Sequence, residues 1–368
     1  GREHAIPLPD TGSSRKGPAL SLCLTPFAAA ARLLAFSDWY SPQAADLTGQ
    51  FLAATLLFPA LGALTVFLLY RLVVALGYHI RTAILMAIIL AAGTFHWKHT
   101  LYMQEESLLV LFLTAAALLL ILNEKTHSFL PAFFLSAVLG ICLHIDMISL
   151  IMILPIILVA AGREIVWAKE IHPLWRISKW LLALLLGLAP FLALMGWYNF
   201  VRFGNCLETG YGLSASQMAA PSAGSSFFPA LAALFFSPGK SLFLYNPILI
   251  AVPFCFFGFV RKHTVLFLAL FLAVIANLVY YSMQPNWAGD PAWGARHQAA
   301  LLPFLVLPLV VGLERLVLAE MVKHRSFRLE KALGRPPRSL RLFIGLLFLI
   351  SIPIQISSVS YEPPPISQ

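Results

Sequence analysis

The chain has 368 residues, of which 60% are apolar and 11% charged, and carries a formal net charge of +9. A soluble domain of this size carries roughly a quarter charged residues, so most of this surface faces something other than water. The basic excess does not indicate nucleic acid, because Lys and Arg sit between apolar runs and form no aromatic-interleaved basic face.

In chain order, the first residues, 1–17, are polar and contain no basic stretch followed by a short apolar core, so nothing reads as a signal peptide. Residues 18–36 are apolar but contain Arg32 and end in polar residues, which predicts a helix lying on the membrane surface. Ten apolar segments follow, at roughly 50–70, 82–95, 107–122, 129–143, 147–161, 180–199, 241–260, 264–281, 298–317 and 340–357. Their lengths approach what is needed to cross a hydrocarbon core of about 30 Å. The fold class is therefore an all-α integral membrane protein with about ten transmembrane helices. Its layout is an outer loop with an interfacial helix (1–48), about six helices (49–199), a long outer loop (200–240), about four helices (241–358) and an outer tail (359–368).

Alternation of sides groups the connections into two sets. One set, at 71–81, 123–128, 162–179, 261–263 and 314–341, carries 17 of the 25 Lys and Arg, which the positive-inside rule assigns to the cytoplasm. The other carries 10 of the 16 acidic residues. Within the first set, residues 162–179 with Trp167 and Trp175 predict an interfacial helix. The four cysteines are scattered and give neither a zinc pattern nor a disulfide framework.

The outer connections are longer and richer in chemistry, so function is expected on that face. Ser14-Arg15-Lys16-Gly17-Pro18 is either an ordinary helix start or a basic pair presented to an anion. His96-Trp97-Lys98-His99 precedes Gln104-Glu105-Glu106 at the start of an apolar helix. Glu105 and Glu106 either complement the helix dipole or supply a general base or cation site at the membrane boundary. The His pair has helical spacing but no third ligand, so no metal site is assigned. The loop at 199–240 carries cations at both ends, Arg202 and Lys240, around a bland middle that reads as a flap. Residues 286–297 collect Trp287, Asp290, Trp293, Arg296 and His297 before the helix near Gln298, an arrangement suited to a phosphate and to stacking on sugar faces. Asp146 reads as a turn or N-cap. No Walker loop, G-x-S-x-G or H-E-x-x-H motif is present.

Four stretches carry a resemblance in order. They are Lys-Gly-Pro-x-Leu-Ser-Leu at 16–22, Arg-Phe-Gly…Glu-Thr-Gly-Tyr at 202–211, Phe-Ser-Pro-Gly-Lys-Ser-Leu-Phe at 236–243 and Trp-Gly-Ala-Arg at 293–296. Together they resemble bacterial membrane glycosyltransferases of the GT-C superfamily, similar to protein mannosyltransferases and lipid A aminoarabinose transferases. The resemblance implies eleven or more spans in the full-length protein and an outward-facing site in a bacterial inner membrane. It implies transfer of a sugar from a polyprenyl-phosphate carrier to a lipid, glycan or protein acceptor, with membrane lipids as surroundings and no nucleic-acid partner. It also implies an acidic motif in the first outer loop. Nothing before Lys16 matches that motif, so the main carboxylate is expected upstream of Gly1 and this chain is expected to be incomplete and inactive as it stands. On the same resemblance, Glu105 and Glu106 are the catalytic candidates. Arg296, His297, Lys240 and Arg202 are candidates for the donor phosphate, and Trp287, Asp290, Trp293, Tyr211 and Lys16 for the substrate. A divalent cation stays open as a cofactor. The alternative function is a transporter or flippase of a lipid-linked or amphiphilic substrate, which places ionisable residues and broken helices near the bilayer midplane.

Overall fold

The computed structural model of the chain describes residues 18–34, 42–102, 104–168, 173–208, 227–284, 287–289, 292–323 and 338–360. Among the described residues every regular element is helical. The helices are α1 (Ala19–Leu34), α2 (Pro42–Leu52), α3 (Phe58–Ala75), α4 (Ile80–Gly93), α5 (His96–His99), α6 (Glu105–Thr126), α7 (Phe129–Ile145), α8 (Leu150–Ala168) and α9 (Pro173–Phe203). They continue with α10 (Phe227–Phe236), α11 (Leu242–Tyr245), α12 (Val252–Lys262), α13 (Thr264–Ser282), α14 (Leu302–Val306), α15 (Leu309–Lys323) and α16 (Arg338–Val359). Among the described residues, seven stretches are long and apolar enough to cross a membrane: Leu47–Ala75, Glu105–Thr126, Met147–Val166, Trp175–Phe203, Thr264–Ser282, Arg296–Met321 and Ser339–Val359. Helices α4 and α7 are apolar but shorter. Lipid-type surface is plain on α9, where Leu181, Leu182, Leu185 and Leu186 point outward in a continuous apolar band.

Three expectations are corrected. The segment at 241–260 is not one helix. Pro247 has no N–H to donate, and the chain passes from α11 through Asn246 into a 3₁₀ turn, Pro247–Ala251, before α12 begins. The 162–179 stretch forms no separate surface helix: its ends extend the long helices α8 and α9. The 200–240 connection is not loop throughout, because α10 lies inside it. Residues 209–226, with the expected flap, lie outside the described residues.

Helices α7 and α9 pack closely, and small residues set the pairing. A Cβ on Gly187 would stand 2.4 Å from the Phe133 carbonyl oxygen, and one on Gly140 would stand 2.7 Å from the Phe191 ring. Backbones approach this closely only where a side chain is absent, the usual device where lipid tails offer no competing solvent.

Polar contacts join the connections end by end. At one end the Tyr78 hydroxyl meets His263 at 2.9 Å while the Lys262 ammonium sits 3.9 Å over the Tyr78 ring. There too, Glu314 accepts hydrogen bonds from the His79 N–H at 3.1 Å and the Thr82 hydroxyl at 2.6 Å. Glu164 takes the Asn123 amide at 2.8 Å and faces His127 at 3.2 Å. At the other end the connections at 94–106, 237–246 and 287–297 converge. That end holds the site.

Candidate functional site

The site is built on α5, a single helical turn that follows α4 and packs on α16. Its first backbone group is fixed from afar: Phe95 N–H donates to Asn246 Oδ1 at 2.8 Å, while the Asn246 amide donates to Leu242 O at 2.9 Å. The same Asn246 that interrupts α11 therefore caps α5, a reason for the broken helix that propensity alone does not supply. The turn then presents two imidazoles, which i, i+3 spacing places on one side of the helix, to different partners. His96 Nε2 lies 3.3 Å from the Gly62 carbonyl, and His99 Nδ1 lies 3.0 Å from Gln104 Oε1. Ser107 closes the turn by donating to the His99 carbonyl at 2.8 Å.

Glu105 and Glu106 open α6 immediately afterwards. Opposite them, Arg296 opens a six-residue 3₁₀ helix, Arg296–Leu301. Arg296 Nε donates to Glu106 Oε1 at 2.8 Å and its Nη2 to Glu106 Oε2 at 3.3 Å, a two-point pairing of guanidinium and carboxylate. The Glu105 carboxylate stands 4.0 Å from the same Nη2. The three side chains are only 9–12% exposed, so this ion pair sits almost out of water. His297 follows, with Nδ1 4.0 Å from Glu106 Oε1 and its ring stacked on Tyr281 at 4.0 Å and 8°.

The Arg296 turn is braced from behind. Asn277 donates to the His297 carbonyl at 3.5 Å, and Gln298 donates to Asn277 Oδ1 at 3.3 Å. In front, Gly294 has φ 70°, a backbone shape that costs a side-chain-bearing residue, and a Cβ there would press on Phe95 and Tyr245. That bend lays the Trp293 ring edge-on against Tyr245, with centroids 5.1 Å apart. Lys240 reaches into the same loop and donates to the Ala292 carbonyl at 2.9 Å.

The sequence-selected residues therefore separate. Glu105, Glu106, Arg296 and His297 come together, Trp293 forms the neighbouring wall, and Lys240 ties that wall down. Trp287 sits partly buried in the adjoining turn, its backbone N–H donating to the Gln284 carbonyl. Arg202 lies on the last turn of α9, its guanidinium against the Tyr198 and Phe203 rings. Lys16, Tyr211 and Asp290 lie outside the described residues. Tyr281, Asn277 and Gln298 were not selected from sequence, because single polar residues within apolar helices carry no local signal; Tyr245 sits in a segment that reads as one continuous span. As for a cation, Arg296 already occupies the Glu106 carboxylate, and among the described residues no three His, Cys, Asp or Glu side chains are grouped to hold a metal ion.

Burial disfavours the protonated form of both imidazoles of α5. His96 is lowered to about 4, chiefly by burial and further by His99, with the Gly62 carbonyl opposing. His99 is also lowered by burial, against its hydrogen bond to the Gln104 amide oxygen and the nearby Glu106 charge. An unfolded His titrates near 6.5, so below that pH the unfolded chain binds the proton first. Stability from His96 is complete above about pH 6.5 and is lost as pH falls towards 4. The expected result is that His96→Gln removes up to about 3 kcal/mol of the acid-induced loss between those limits, read from unfolding midpoints of both proteins across pH. Identical pH profiles would contradict it.

Comparison with family models, with curated proteins and with solved structures returned no match.

Proposed function

We propose that this chain is a membrane glycosyltransferase of GT-C type with about ten spans, acting at the membrane face where Glu106 meets Arg296. The donor is a sugar on a polyprenyl phosphate, the acceptor a lipid, glycan or protein hydroxyl, and the membrane the inner membrane of a bacterium with the site on its outer side. The observation that carries the reading is the convergence of distant polar residues: residues 190 positions apart in sequence form one buried, oriented guanidinium–carboxylate pair. It is flanked by an imidazole and a tryptophan.

In this reading the acceptor hydroxyl attacks the anomeric carbon, the bond from that carbon to the phosphate oxygen breaks, and polyprenyl phosphate leaves with the electron pair. Its phosphate is already a good leaving group, so the protein's task is positioning and charge neutralisation. Arg296 is the group for the phosphate. Glu106 fixes the plane and direction of that guanidinium, so its role is positioning. The hydroxyl proton passes to a carboxylate, and Glu105 is the one at this site held less tightly by Arg296. Trp293, set edge-on to Tyr245 beside the Gly294 bend, is the aromatic group for the sugar.

The test uses membranes carrying the full-length protein and a panel of radiolabelled polyprenyl-phosphate sugars, at matched amounts of folded protein. Arg296→Ala is expected to lower transfer by about 10²–10³-fold, with Arg296→Lys retaining part of it. Unchanged turnover in Arg296→Ala sinks the assignment, and no transfer from any such donor by the native protein sinks the reading.

A further inference from the structure

Helix α10 has the sequence Phe-Phe-Pro-Ala-Leu-Ala-Ala-Leu-Phe-Phe, with no polar side chain on any face. One face is spoken for: Ala230 and Leu234 are buried, and the helix packs on α13 and α11. The opposite stripe, Phe228, Ala232 and Phe236, follows i, i+4, i+8 spacing and points away from the protein, with Phe228 76% and Phe236 72% exposed. A helix apolar all round belongs in a protein interior or in lipid, not at a water boundary. Its ten residues span about 15 Å, half of a hydrocarbon core of about 30 Å, so it cannot cross.

Its surroundings say what covers the stripe. The helix it packs against, α13, presents Leu268, Phe271, Leu272 and Ile275 outward, so the stripe continues a lipid-facing surface. At its far end the chain turns polar at once. The Ser241 hydroxyl donates to the Phe235 carbonyl, and Lys240 donates to the Ala292 carbonyl beside Trp293. The helix is thus fastened at the site end of the molecule and apolar away from it.

We propose that α10 is inserted into the leaflet on the Arg296 side, reaching no further than half-way through the hydrocarbon core, with lipid acyl chains covering the Phe228–Ala232–Phe236 stripe. The long connection after α9 is then membrane-embedded in part. It brings hydrocarbon up to the Phe235–Phe243 ring pair, whose centroids are 5.7 Å apart, on the same short segment as Tyr245 of the Trp293 wall. The proposal needs no substrate and stands whether or not the transferase reading does.

The experiment places a nitroxide at Phe228→Cys and, as a smaller change, at Ala232→Cys, with Cys23 and Cys206 replaced by Ser, in phosphatidylcholine vesicles. Collision of the label with oxygen, which concentrates in hydrocarbon, is compared with collision with a water-soluble nickel chelate. Leu185→Cys on α9 is the lipid reference, and Gly239→Cys in the exposed turn is the aqueous reference. The expected oxygen-to-nickel ratio at 228 and 232 is close to that at 185 and several-fold above that at 239. A ratio equal to that at 239 overturns the insertion. Dipolar broadening between labels at 228 also overturns it, by showing that a second copy of the chain covers the stripe.

Discussion

Arg296→Ala lowers the unfolding free energy by about 3–5 kcal/mol, the cost of removing one partner from a buried ion pair. The physical reason is not the lost attraction alone. Glu106 loses both guanidinium donors, at 2.8 and 3.3 Å, and Glu105 loses the cation 4.0 Å away, so two carboxylates remain where their side chains are only 11% and 9% exposed. Burying a charge without a partner costs more than a well-made pair returns. It follows that Glu106→Gln in the Arg296→Ala background recovers a large part of the loss, because the second change removes the stranded charge. Thermal or denaturant unfolding of the four proteins of this cycle in detergent measures the coupling directly. If the double variant is destabilised by the sum of the two single losses, the pair is not coupled and the site is not the buried unit described above. This stability effect is separate from the transfer assay, which compares equal amounts of folded protein.

Gly187→Ala has the second large effect, and it acts at the α7–α9 seam. A methyl group there would lie 2.1 Å from the Ser136 hydroxyl oxygen, 2.4 Å from the Phe133 carbonyl oxygen and 3.1 Å from the Ala137 nitrogen. Two of those atoms are backbone, so no rotamer change clears them and the helices must separate. Overpacking of this kind costs typically about 1–3 kcal/mol, and separation of a close helix pair in lipid adds lost van der Waals contact along the seam. Trimming the hydroxyl as well, in Ser136→Ala/Gly187→Ala, leaves the carbonyl clash and is expected to rescue little. Gly345→Ala on α16 is the control, because nothing lies within 4 Å of its added carbon. That change gains up to about 1 kcal/mol from helix propensity. Equal unfolding temperatures for Gly187→Ala and Gly345→Ala would show that the seam is loose.

Much of this architecture is legible along the chain because its cause is local. A run of apolar residues long enough to cross hydrocarbon must be helical, since lipid offers no partner for backbone polar groups. That physics is contained in each segment, so all-helical membrane character and most helix positions follow from composition and run length alone. The same holds for the polar residues gathered between the runs, from which Glu105, Glu106, Arg296, His297 and Trp293 stand out by residue type. What local reading misses has non-local causes. The interruption at Asn246–Pro247 looks like a continuous span, yet Asn246 is committed to the Phe95 N–H, 151 positions away. Helix α10 hides in a connection whose Ser/Ala/Pro/Gly-rich middle dominates its composition. The pairing of Glu106 with Arg296, the stack of His297 on Tyr281, and the Asn277–Gln298 brace join residues whose sequence neighbourhoods share nothing. Sequence by itself determined that this chain lives in a membrane and which residues are too polar to face lipid. Only the tertiary structure decided which of those residues meet, because contact between helices is set by small residues, caps and bends acting across the whole bundle.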